Sequence, residues 1–214
     1  MKTGEVVGMA IFGFLVLGAL VLAIRQGAKH REQVTRYSTS RGYPLLTEGD
    51  GRLAELLEEA TPQETWSIQS LMLVDREPFR SYLFGYQASP KDRPSETSNG
   101  TGFLAEYDGR RADSPVTIFT RTPGVEVLVD ERVEVGVQEF GRRFTVTCAS
   151  DRIATEVVNA DVQHTLLEFR EDPGWYLSVT ITARAVLVSS FWAGSEADWD
   201  VLVELGRRLR NSLR

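Results

Sequence analysis

VVGMAIFGFLVLGALVLAI, residues 6–24, is the one long stretch of this chain with no charged or strongly polar side chain. Read as a helix, its nineteen residues span about 28 Å, close to the hydrocarbon thickness of a bilayer. A helix is the form lipid demands, because every backbone N–H and C=O must find its partner within the segment. The run exceeds the roughly 7–15 apolar residues of a signal peptide, and no small-residue cleavage site follows it. Arg25, Lys29, Arg31 and Arg36 follow instead, as a stop-transfer pattern. Positions 1–25 therefore read as an uncleaved transmembrane anchor.

Charge sets its expected orientation. Lys2 and the terminal amine precede the run, opposed by Glu5, whereas the four basic residues after it face only Glu32. The Lys/Arg excess lies on the C-terminal side, which predicts the N-terminus outside and the remaining domain in the cytoplasm, a single-pass protein of the cell membrane. Gly4-x-x-x-Gly8 and Ala19-x-x-x-Ala23 are spacings that allow helices to approach closely, but small residues are common in any span and a monomeric anchor is the simpler reading.

The whole chain carries a net charge of −6 over 214 residues. Five of its 24 Lys/Arg and two of its 30 Asp/Glu fall in positions 1–36, leaving 19 basic against 28 acidic residues, net −9, in positions 37–214. An acidic domain behind a basic collar excludes nucleic acid as a partner, since that binding rests on neutralising phosphates. The partners expected are the lipid bilayer, through Val6–Ile24, and a protein at the inner membrane face; the oligomeric state stays open. The single cysteine, Cys148, precludes an internal disulfide, and its place in the alternating run FTVTCA marks it as a buried structural thiol.

Residues 26–44 read as a basic juxtamembrane helix closed by a Ser/Thr, Gly and Pro turn. Positions 45–214 read as one α+β domain. Asp50 caps a helix over 52–60 with Leu53, Leu56, Leu57 and Ala60 on one face. Residues 65–74 and 79–87 pair as a hairpin across Arg76-Glu77-Pro78, with Trp66, Ile68, Ser70, Met72 and Val74 on one face of the first strand. Residues 89–100, SPKDRPSETSNG, read as a flexible loop. Strands follow over 102–107, 116–121, 125–130 and 143–149, then helices beginning near Ser150 or Asp151 and at Asp161. A second hairpin spans 175–182 and 185–192. The final helix starts at a Ser195-x-x-Asp198 capping box, places Trp199, Leu202, Gly206, Leu209 and Leu213 on one stripe, and turns Arg207, Arg208 and Arg210 outward. The fold expected is thus α+β: one N-terminal transmembrane helix, then antiparallel β-hairpins with several short helices and a C-terminal amphipathic helix.

This order of features, with Arg-Gly-Tyr-Pro at 41–44, Arg-Glu-Pro-Phe-Arg-Ser-Tyr at 76–82 and the segment 140–151 leading into two short helices, resembles a group of uncharacterised bacterial single-pass membrane proteins, common in actinobacteria, that carry a cytoplasmic domain of unknown function. The resemblance implies α+β architecture and a membrane location. It implies no catalytic residues.

The side chains offer little chemistry of their own. His30 and His164 lack partners at metal-ligand spacing. The carboxylates at Glu55, Glu58 and Glu59, and at Glu168, Glu171 and Asp172, read as solvated helix faces and ends. No nucleotide-binding, nucleophile-elbow or zinc-protease motif occurs. No catalytic, cofactor-binding or metal-ligating residue is assigned, and no cofactor is expected. Aromatic density is the richer signal: Tyr82, Phe84 and Tyr86 on one strand face with Phe79 on the other, and Trp66, Trp175, Trp192 and Trp199 in packing elements. Core filling is the plain reading of these rings; an apolar groove or sheet face that recruits a partner is the functional one. The expectation is a non-enzymatic protein- or ligand-binding module, with an enzyme built from scattered residues, or a structural, lipid-contacting protein, as the alternatives.

Overall fold

The computed structural model describes residues 25, 27–47, 49–109, 114–121, 132–169, 176–191 and 194–213. The chain divides into two compact units, Met1–Tyr43 and Pro44–Arg214. In the first, helix α1 (27–41) is polar along its length and ends through the Arg-Gly-Tyr-Pro turn. Gly42 takes the left-handed conformation, with φ +69°. Tyr43 N–H donates to Ser38 O at 2.9 Å and Gly42 N–H to Thr39 O at 3.4 Å. These two bonds and the Tyr37–Tyr43 ring contact, 6.0 Å between centroids, make the glycine-terminated helix end in which the residue after the glycine packs back on the last turn.

The span expected over Val6–Ile24 lies outside the described residues. Among the described residues no helix is long and apolar enough to cross a membrane; α1 itself carries Lys29, His30, Arg31, Glu32 and Arg36. The expected transmembrane helix with hairpins behind it, and the single-pass cell-membrane placement with an outside N-terminus and a cytoplasmic domain, are corrected accordingly. What the chain presents is an eight-stranded antiparallel sheet with helices. A Lys/Arg excess reports sidedness only where it flanks a span, and no described helix is one.

In the second unit the strands are β1 (Glu64–Asp75), β2 (Ser81–Pro90), β3 (Ser98–Glu106), β4 (Val116–Thr120), β5 (Arg132–Val133), β6 (Phe144–Thr147), β7 (Leu177–Ile181) and β8 (Ala185–Ser190). Their order is β1-β2-β3-β8-β7-β4-β6-β5, every neighbouring pair antiparallel. The expected hairpins therefore do not stand apart: the β7–β8 hairpin is laid between β3 and β4, and one sheet results. The helices are α2 (Gly51–Ala60), α3 (Gln138–Arg143), α4 (Asp151–Val157), α5 (Ala160–Leu167) and α6 (Glu196–Ser212).

One face of the sheet is apolar from edge to edge. Met72, Leu83, Phe103, Val188, Val179, Ile118, Val146 and Val133 stand opposite one another across all eight strands. Helix α6 covers the β3–β8 part of this row, with α4 against β4 and α3 against β6, and Gly206 lets α6 approach: a Cβ there would lie 2.1 Å from Phe103 Cδ1. The Ser195–Asp198 capping box closes the start of α6. Two of its arginines turn inward, not outward as the stripe suggested. Arg207 Nη2 pairs with Asp75 Oδ1 at 2.6 Å, and Arg210 Nη1 donates to Ser81 Oγ at 3.1 Å, tying the helix to the β1–β2 turn.

Other departures have equally local causes. In β1, Gln69 has no opposite residue, so two residues stand where the ladder expects one. The bulge flips the alternation: Trp66 and Ile68 before it, and Leu71 and Leu73 after it, all face α2, while Ser70 and Met72 pass to the other side. The expected loop 89–100 is shorter in the structure, with β2 continuing to Pro90 and β3 starting at Ser98. Residues 138–143 form α3, ahead of a shorter β6. The expected strand at 125–130 lies outside the described residues.

Candidate functional site

Helix α2 lies on the other face of the sheet. Asp50 caps it, accepting from Arg52 N–H at 2.9 Å, and the same carboxylate accepts from the Tyr82 hydroxyl at 2.9 Å and Arg80 Nη1 at 3.3 Å. Burial, together with the facing Asp50 carboxylate, pushes the Tyr82 hydroxyl up to about 12. At the far end Trp66 Nε1–H donates to Thr61 Oγ1 at 2.8 Å, and Thr61 Oγ1–H donates to Leu57 O at 2.9 Å. Arg52–Glu106 and Arg184–Glu59 pairs add flanking ties. Both ends of α2 are thus fastened to the sheet by side chains.

Under the helix sits the aromatic strand the sequence singled out. Tyr82, Phe84 and Tyr86 are buried with Leu53, Leu56, Leu57 and Ala60, so these rings are core. Glycines on the next strand make room for them. A Cβ on Gly102 would meet Phe84 Cζ at 2.6 Å, and one on Gly100 would meet the Tyr86 hydroxyl at 2.7 Å. Trp66 completes the cluster, 4.6 Å from the Tyr86 ring and 6.2 Å from Phe84, but stays half-exposed. Trp199 is buried; Trp175 and Trp192 lie outside the described residues.

Between α2 and β1 the half-exposed side of this cluster opens into a groove of about 460 Å³. Its walls are Leu53, Ala54 and Leu57 from the helix and Trp66, Ile68 and Leu71 from the strand, with Asp50, Glu58, Glu64 and Lys91 at the rim. Lys91 Nζ and Glu58 Oε1 bridge at 2.8 Å. Glu64 differs from the other rim charges: its carboxylate is half-buried, and among the described residues that carboxylate has neither ion pair nor hydrogen bond. Burial alone raises its pKa above the usual glutamate value.

The other sequence candidates disperse. Glu55 pairs with Arg52, Glu58 with Lys91 and Glu59 with Arg184, as solvated helix faces do. His164 pairs with Glu168 at 2.9 Å on the open surface, where Glu168 also meets Arg208. Glu171 and Asp172 lie outside the described residues, and His30 sits on α1, in the first unit. Cys148 is buried, with Ser114 Oγ at 3.7 Å. Among the described residues no group of three or more His, Cys, Asp or Glu is placed to hold a metal. Sequence reasoning missed the groove and Glu64: the bulge that turns Leu71 toward α2 has no compositional signature, and one Glu at a strand start looks like any other.

No family model and no curated protein matches the chain. The fold is similar to the crystal structure of the mycobacterial trehalose monomycolate transport factor A, TtfA, with a TM-score of 0.58 over 86% of this chain and 93% of that one, at 12% identity. The likeness is one of fold. That protein is of mycobacterial source and is a transport factor.

Proposed function

We propose that this domain is a non-enzymatic binding module that takes the apolar chain of a lipid into the groove between α2 and β1. The observation that carries the reading is the make-up of that groove. Its walls are apolar and its charges stand at the rim, the division expected of a site that holds a hydrocarbon and leaves the polar end of its ligand at the mouth. Its volume falls in the roughly 300–1,000 Å³ range of small-molecule sites. Burying a chain against Ala54, Trp66 and Ile68, which keep exposed surface, removes apolar area from water on both partners. The fastened ends of α2 mean that little ordering cost remains to oppose binding. The fold likeness to a transport factor for trehalose monomycolate supports a lipid-related role.

The test is a titration of the full chain with a fluorescent fatty acid, against Ala54→Trp. Ala54 is exposed on α2 and lines the groove, so an indole there occupies the slot without entering the core. The expected result is saturable binding to the parent chain and affinity at least about tenfold weaker in the variant, a difference of about 1.4 kcal/mol. Equal affinity in the two would show that the chain does not enter this groove.

A further inference from the structure

Past Glu64 and Trp66, which line both spaces, the groove gives onto a second, smaller concavity of about 200 Å³ over the β7–β8 and β4 part of the same sheet face. Its chemistry is different. Phe119, Tyr176 and Phe191 form a strip, with centroids 6.3 Å apart at 36° for the first pair and 5.2 Å apart at 30° for the second. Phe191, at its end, is 39% exposed. Ser178, Thr180 and Ser189 line the floor beside these rings.

We propose that this concavity is a sugar-binding subsite and that the ligand is a glycolipid, its chain under α2 and a pyranose ring on the Phe119–Tyr176–Phe191 strip. This rests on the chain-binding reading of the groove. Three observations carry it. The first is the platform: a pyranose ring has a face of C–H groups and a rim of hydroxyls, and the C–H face packs on the negative face of an aromatic ring. The second is unspent hydrogen-bonding capacity. Among the described residues the hydroxyls of Tyr176 and Ser178 and the carboxylate of Glu64 make no side-chain hydrogen bond, and polar groups converging on a concave site are what orient a polar ligand. The third is charge. Among the described residues no Lys, Arg or His lines the space, which disfavours phosphate and sulfate headgroups, while a lone carboxylate accepts from sugar hydroxyls. A cationic headgroup needs rings set as facing walls around it. Here neighbouring ring centroids are 5.2 and 6.3 Å apart, too close for a cation to sit between two rings.

The experiment is calorimetric titration of the full chain with three amphiphiles of one chain length, all below their micelle concentrations: an alkyl maltoside, an alkyl phosphocholine and an alkyl sulfate. The expected order puts the maltoside first by roughly three- to tenfold, the yield of one good aromatic stack. Phe191→Ala brings that ratio toward one, and Tyr176→Phe, which removes a single hydroxyl and keeps the ring, narrows it. Equal affinity for all three headgroups overturns the sugar subsite while the chain-binding reading stands. Preference for the phosphocholine overturns it in favour of a cation cage. Absence of binding by any of the three overturns the chain-binding reading and this inference with it.

Discussion

The two faces of the sheet are filled by different rules. On the α6 face the row from Met72 through Phe103 and Val179 to Val133 is apolar on every strand. On the α2 face the neighbouring row runs Leu71, Phe84, Gly102, Ser189, Ser178, Phe119, Thr145. It begins as core and turns into hydroxyls beyond β3. The row beside it does the same, from Leu73, Tyr82, Leu104 and Leu187 to Thr180, Thr117 and Thr147. Helix α2, ten residues long, accounts for the boundary: apolar side chains are kept where a helix lies over them. Beyond α2, where no helix lies over the sheet among the described residues, β-branched threonine keeps the strand propensity, and Thr145, Thr180 and Ser189 are themselves buried. A face that is apolar under α2 and rich in hydroxyls beyond it has a natural border, and the groove and Glu64 lie along it.

The contrast between the halves breaks most sharply at paired aromatic positions. Phe84 is fully buried under α2, and Phe119 is half-buried on the hydroxyl side. Phe84→Ala should cost about 3–5 kcal/mol, a transfer term plus a cavity that the neighbouring Gly102 cannot fill. Phe119→Ala should cost about 1 kcal/mol, one aromatic contact with Tyr176. Urea unfolding of the two variants measures both, and similar losses would erase the distinction between the halves.

A smaller effect belongs to the fastening of α6 across the apolar face. Burial by itself raises the Asp75 pKa, but the bonds from Arg207 and Ser81 and the charge of Arg210 outweigh it and hold the carboxyl below its ordinary value of 3.8. A depressed carboxylate stabilises the fold above that value, and the contribution is lost as pH falls through the folded pKa. Asp75→Ala should cost about 1.5–3 kcal/mol at neutral pH, the range for hydrogen bonds to a charged group. Asp75→Asn should remove the part of the acid-induced loss that lies below pH 3.8. Acid unfolding curves that superimpose for the variant and the parent would assign the tie no role.

These positions also mark what the sequence could disclose. Helix caps were legible, because an Asp or Ser before an apolar period has a single local job: Asp50 and Ser195 do it. The rings of Tyr82, Phe84 and Tyr86 declared one strand face by simple alternation. The order of the sheet was not legible, since β8 beside β3 is a choice among strands of similar composition. The bulge at Gln69 reversed the reading of β1, and α3 was hidden in QEFGRR, too short for periodicity to register. The inward turn of Arg210 was equally invisible, as it goes with Ser81 and Asp75, more than a hundred residues away. The hydroxyl half of the α2 face lay open in the Ser/Thr alternation of WYLSVTIT, but its meaning required knowing that no helix covers it among the described residues.

The finest test of the border is Glu64 itself. Its pKa is raised in the folded chain because burial strips water from the carboxylate and no cation or donor among the described residues replaces it. A glutamate raised in this way lowers stability once it ionises: below the ordinary value both states are protonated and nothing differs, and the penalty grows as pH climbs through the raised folded value. Glu64→Gln keeps the shape and removes the charge. It should therefore unfold at higher urea concentration than the parent at neutral pH and at the same concentration below pH 4.5, the unshifted glutamate value. Such a gain would mark Glu64 as a group whose burial costs the fold stability, the trade expected at a binding site. Loss of stability in the variant at neutral pH would mean instead that the carboxylate holds the border together, and that the hydroxyl half of the face is structural.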